Sequence, residues 1–110
     1  MICVKEAEGK VYDAARHSHV YGLQKVIEGQ DSARTTVCYS YFQPNGGAEL
    51  SASDKERIYY LVKGSMTVRN NNEIHQLVAG DLILINAGEE REVIITGGKP
   101  AEVLVLIVTP

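Results

Sequence analysis

The sequence has no tryptophan, a single phenylalanine, two cysteines and three prolines. Cys3 and Cys38 cannot supply the disulfide framework of a small secreted protein, and neither sits in a CxxC or near-histidine pattern. Both read as reduced thiols packed like small hydrophobes, as in a cytoplasmic protein. The first residues carry Lys5, Glu6, Glu8 and Lys10 with no apolar stretch, unlike a secretory leader. No apolar run reaches the ~18 residues of a membrane span, so no membrane partner is expected. Basic residues are scattered from Lys5 to Lys99 without a cluster, and the net charge is -3, so no nucleic-acid partner is expected.

What is present fits one soluble domain over residues 1–110. Apolar residues make up 45% and charged residues 23% of the 110 residues, which excludes disorder and collagen-like repeats. A chain of this size buries roughly two-thirds of its unfolded surface, enough for one core without metal or disulfide staples. Turn signals recur at Gly29-Gln30-Asp31, Pro44-Asn45-Gly46-Gly47, Gly64, Asn70-Asn71-Asn72, Gly80-Asp81, Asn86-Ala87-Gly88 and Gly97-Gly98-Lys99-Pro100. The intervening segments, including Thr35 to Phe42, Leu82 to Ile85 and Val93 to Thr96, are rich in β-branched or aromatic residues. Val103 to Val108 is apolar on both faces, as in a strand covered on both sides. The stretch from Ser53 to Gly64 is ambiguous. Ser53 and Glu56 could form a capping box with Gly64 as a stop, whereas Ile58, Tyr59, Tyr60 and Val62 favour a strand.

Two stretches resolve that ambiguity through a resemblance. Pro44-Asn45-Gly46-Gly47 through Tyr59-Tyr60-Leu61-Val62-Lys63-Gly64-Ser65-Met66-Thr67-Val68 resembles the first motif of the cupin superfamily. Gly80-Asp81-Leu82-Ile83-Leu84-Ile85-Asn86-Ala87-Gly88-Glu89-Glu90-Arg91-Glu92-Val93 resembles the second. The resemblance implies an all-β fold, a double-stranded β-helix or jelly-roll barrel of antiparallel strands, with Arg57 to Val62 as strand. It also implies a homodimer, which the apolar last strand and the segment from Ala33 to Phe42 could support across subunits.

Many cupins hold a metal through two histidines and a glutamate of the first motif and a histidine of the second. Counted from Gly64 and Gly80, those positions fall here on Ser51, Ser53, Arg57 and Arg91. Serine hydroxyls are poor ligands and guanidinium repels a cation, so no metal or other cofactor is expected. Two arginines in the metal's place ask for an anion instead.

Strand parity puts Arg57, Tyr59 and Leu61 on one face, and Arg91, Val93 and Ile95 on one face of another strand. If both faces point inward, Arg57 and Arg91 meet in a cavity. Two ways of satisfying them remain open. Either the answer is structural, with Glu49, Glu89 or another acid closing an internal salt bridge or the arginines reaching the rim and being solvated, or the arginines grip a small anionic, carboxylate-like metabolite, helped by the Ser51 and Ser53 hydroxyls. Tyr59 is the candidate pocket acid or donor, and His19 a candidate general base folded over the cavity mouth. His17 and His19, as i, i+2 residues, share a strand face, though a metal site with His75 is not expected, and Tyr39 with Tyr41 would line a mouth or a subunit contact.

The expected function is therefore a metal-independent, metabolite-binding barrel. Isomerase, lyase or decarboxylase chemistry beside a carboxylate is compatible with it. A non-catalytic metabolite sensor, or a dimeric accessory or scaffold protein with internally paired arginines, is the alternative.

Overall fold

Side chains alternate in and out along most of the chain, and that alternation builds the molecule. The computed structural model describes residues 1–12 and 16–110. Its strands are β1 (Lys10–Tyr12), β2 (His17–Val26), β3 (Thr35–Ala52), β4 (Glu56–Lys63), β5 (Ser65–Arg69), β6 (Ile74–Val78), β7 (Leu82–Ile85), β8 (Glu90–Thr96) and β9 (Ala101–Val108). All the strand pairings are antiparallel. No helix among the described residues is long and apolar enough to cross a membrane.

The strands follow the order β6-β5-β8-β3-β9-β4-β7, with β2 also paired to β3 and β1 to β2. The long strand β3 connects two layers. Its first half, Thr35 to Phe42, pairs with β9, and its second half, Gly47 to Ala52, pairs with β8. The turn expected at Pro44-Asn45-Gly46-Gly47 is thus a passage within one strand rather than a reversal. Ladder partners jump from Phe42 to Gly47 against β2 with a bulge between. Pro44, which lacks an N–H, sits in this unpaired stretch.

The ambiguous segment is strand β4, and the capping-box reading fails there. The Ser53 hydroxyl accepts from the Lys55 amide at 3.1 Å within a bend that precedes the strand. Gly64 ends β4 at φ +91°, where its missing Cβ lets the chain turn hard against Pro100 and Ala101. Strand β9 lies between β3 and β4 and is at least half-buried along its whole length, as the apolar run requires.

The interior is filled from both layers. Leu61, Met66, Val68, Val93, Ile95, Ala101 and Val103 are buried in one cluster with Phe42, Tyr59 and Ile85. Three polar residues are buried with them: Ser40, Arg57 and Arg91. Cys38 is buried, as expected for a packed thiol, but Cys3 is exposed in the N-terminal segment.

Candidate functional site

The two arginines arrive from opposite layers. β4 carries Arg57 and Tyr59 inward, at 6% exposure each, and β8 carries Arg91 inward at 5%. The parity expected from the sequence holds on both strands, since Leu61, Val93 and Ile95 are also buried. Ser51 of β3 is the direct register partner of Arg91 of β8.

Hydrogen bonds place the guanidiniums closely. Arg91 Nε donates to the Tyr59 hydroxyl at 2.7 Å. Its Nη1 donates to the Glu49 carbonyl at 2.9 Å and to Ser51 Oγ at 3.1 Å. Arg57 Nη2 donates to the Glu89 carbonyl at 3.0 Å and to the Ser51 carbonyl at 3.4 Å. Arg57 Nε is buried and has no hydrogen-bond partner among the described residues.

The acids named as internal partners therefore serve in another way than expected. Glu49 and Glu89 offer main-chain carbonyls, not carboxylates. The Glu89 carboxylate instead accepts from Asn86, whose amide and side chain hold it below the usual carboxylate value. Among the described residues, neither buried arginine has a carboxylate within ion-pair distance. Burial pulls the Arg57 guanidinium below its ordinary value; Tyr59 works against this, and the charge of Arg91 adds to it. It remains a cation, because guanidinium does not deprotonate in proteins.

Arg57, Tyr59 and Arg91 open onto one interior cavity of about 120 Å³. Tyr12, His17 and Ser40 contribute its other polar groups. Tyr12 was not singled out by its sequence context. Its ring lies across Gly22, its register partner on β2, where any Cβ would collide with it. Burial, together with a hydrogen bond to Cys38, pushes its phenol up, and burial also raises the Cys38 thiol. Ser40 was legible only in hindsight, as the inward residue between Cys38 and Phe42 on a strand of known parity.

Three sequence expectations change place. His19 is exposed and lines a separate surface groove with Tyr21, Tyr41 and Pro100, so it does not fold over the cavity mouth. The reason is local. His19 takes φ +50° at a register shift between Ser18 and Val20, and the bulge breaks the alternation that would align it with His17. His17 faces the cavity instead, its ring 6.4 Å from that of Phe42.

Neither Ser51 nor Ser53 lines the cavity: Ser51 orients Arg91, and Ser53 shapes the bend before β4. Tyr39 and Tyr41 face outward, with ring centroids 5.1 Å apart. The Tyr39 hydroxyl donates to Glu102 at 3.0 Å, and burial with that carboxylate pushes it up to about 12.

The donor set does not fit a divalent metal. The positions that would carry ligands hold two guanidiniums and two hydroxyls, and no cluster of three His, Cys, Asp or Glu side chains suited to a metal occurs among the described residues.

A jelly-roll barrel enclosing a cavity between its layers is the architecture of a small cupin. Residues 39–107 match the Cupin domain family, well over half of the chain, and the protein belongs to that family. No curated protein matches the sequence. Among solved structures it is similar to the polyketide cyclase RemF of Streptomyces resistomycificus, at 18% identity and TM-score 0.84, covering 100% of this chain and 80% of that one. A predicted oxalate decarboxylase of Thermotoga maritima is similar at 17% identity and TM-score 0.86, over 99% and 100% of the two chains. KdgF of Halomonas sp. is similar at 11% identity and TM-score 0.76, over 97% and 94%. At these identities the likeness is one of fold.

Proposed function

We propose that this cupin binds a small anionic, carboxylate-like metabolite inside its barrel through Arg57 and Arg91, without a metal. One observation carries the reading: the buried Arg57 Nε has no partner, in a cavity where two cations face no carboxylate among the described residues. An unpaired buried donor and an uncompensated charge both cost stability, and an anion between the guanidiniums offsets the charge. Ser51 positions Arg91 for this role.

Tyr59 is the residue placed to act on the ligand. Its oxygen accepts from Arg91 Nε, and arginine offers no acceptor in return. Its hydroxyl hydrogen is therefore available to the ligand. In a catalytic version of this site, Tyr59 and the arginines stabilise negative charge developing beside the carboxylate, as isomerisation, elimination or decarboxylation requires. The names of the structural neighbours, a polyketide cyclase and a predicted oxalate decarboxylase, are compatible with such chemistry.

A second reading rests on the main-chain contacts. Arg57 donates to two main-chain carbonyls and Arg91 to one, as purely structural arginines would, in a sensor or scaffold protein. A cytoplasmic homodimer belongs to both readings. Exposed Tyr60, Val62, Leu82 and Leu84 on neighbouring strands β4 and β7 support a second copy as the occupant of that face.

Isothermal titration with a panel of small carboxylates, on wild type and on Arg57→Gln, separates these readings. Binding that disappears in the variant supports the anion site. Absence of binding across the panel, with Arg57→Gln strongly destabilised, supports the structural reading.

A further inference from the structure

The charged groups of the cavity gather at one level while most of its remaining wall is hydrocarbon, and this limits what the anion can be. The β4–β9–β3 register gives the layout. Arg57 is opposite Ile107, Tyr59 opposite Val105, and Leu61 opposite Val103, which in turn is opposite Ser40 of β3. Four residues along β9 separate the arginine level from the Val103 level, about 13 Å of strand. On the other layer Arg91 and Val93 follow one another inward, and Ile95, beyond them, pairs with Met66. Besides Arg57, Tyr59 and Arg91, the wall is Phe42, Met66, Val93, Val103, Val105 and Ile107, with Tyr12, His17 and Ser40 as its other polar groups.

From this geometry we infer that the ligand is an amphipathic monocarboxylate: one anionic head on the arginines and Tyr59 and an apolar body against the hydrocarbon of that wall. The inference rests on the anion-binding reading above and deepens it. A polyhydroxylated sugar acid would press its hydroxyls against six hydrocarbon side chains, losing hydration without gaining partners. Oxalate or inorganic phosphate would occupy the arginines and leave the hydrocarbon wall uncovered. The cavity of about 120 Å³ sets the size. A dry apolar cavity of about 150 Å³ accommodates benzene. The body is thus a single ring or a short chain, not a fused-ring skeleton. Ser40, on the same wall, can receive one polar substituent on the body.

The test is titration calorimetry of the intact protein with hexanoate and benzoate as probes. Gluconate, oxalate and inorganic phosphate serve as polar anions, and benzamide as the neutral counterpart of benzoate. Hexanoate or benzoate should bind at least tenfold more tightly than gluconate and benzamide, with a loss of tenfold or more in Arg57→Gln. Equal or tighter binding of gluconate, oxalate or phosphate overturns the amphipathic ligand while leaving the anion site standing. Benzamide binding as well as benzoate overturns the anion site itself. Binding of none of the six overturns both. Should Arg57→Gln fail to fold, Tyr59→Phe replaces it, with a weakening of severalfold expected because a head-group donor is removed.

Discussion

Arg91 and Tyr59, thirty-two positions apart in sequence, meet in the barrel interior with the guanidinium Nε 2.7 Å from the phenol oxygen. The contact ties the two motif strands together across the cavity. It also leaves the phenolic hydrogen free for an acceptor other than Arg91, since guanidinium cannot accept it.

Tyr59→Phe therefore removes the acceptor of a buried charged donor. The expected cost is about 1–3 kcal/mol of unfolding free energy, read as a lower urea midpoint with an unchanged slope. Tyr60→Phe, on the exposed parity of the same strand, should stay within about 0.5 kcal/mol. Equal effects at the two positions would refute the Arg91–Tyr59 pairing as a stabilising contact.

Arg57→Met separates stability from binding. Removing a buried cation that has no carboxylate partner relieves a desolvation penalty of several kcal/mol, against about 1–3 kcal/mol for each of the Ser51 and Glu89 carbonyls left without its donor. The variant should unfold at the same or a higher denaturant concentration and lose carboxylate binding. A strongly destabilised variant would show that the two carbonyl contacts of Arg57 are its purpose.

Three tyrosines give the pH dependence at the alkaline end. Tyr12, Tyr39 and Tyr41 are all raised above 10.0, first by burial; Tyr39 reaches about 12. A raised folded value keeps its stabilising contribution below the unfolded value and loses it as pH climbs through the folded one. Stability should thus hold to about pH 10 and fall between 10 and 12. Tyr39→Phe should make that fall shallower, with phenolate absorbance followed alongside circular dichroism. A flat profile through pH 12 would contradict the raised values.

The proposed homodimer has a direct test. Leu82 and Leu84 are 60% and 47% exposed on β7, at the end of the strand order, beside Tyr60 and Ile58 of β4. Leu82→Glu with Leu84→Glu should convert a homodimer to a folded monomer by light scattering. A wild-type monomer at high concentration would eliminate the dimer.

Local pattern carried much of this. Regular alternation from Arg57 to Leu61 and from Arg91 to Ile95 put the two arginines, Tyr59 and the hydrophobic floor on inward faces, and the structure has them there. The strand assignment of β4 needed the resemblance, because Ser53 and Glu56 imitate a helix start. The histidine assignment failed where alternation failed: the bulge at His19 is a backbone event with no signature in the side-chain sequence. Tyr12 went unseen because its place depends on Gly22, ten positions away, leaving room for its ring.

By itself the sequence determined the class of fold, the inward set on each motif strand, and the absence of metal-ligand chemistry at four motif positions. These follow from side-chain type and a period of two, which are local properties. Only the tertiary structure decided how the charge of the arginines is met: by the carbonyls of Glu49, Ser51 and Glu89 and not by carboxylates. Only it set the two guanidiniums in a cavity whose remaining wall is mostly hydrocarbon. Every residue carries a carbonyl, so its availability depends on register and strand approach across the barrel, and side-chain pattern holds no record of either.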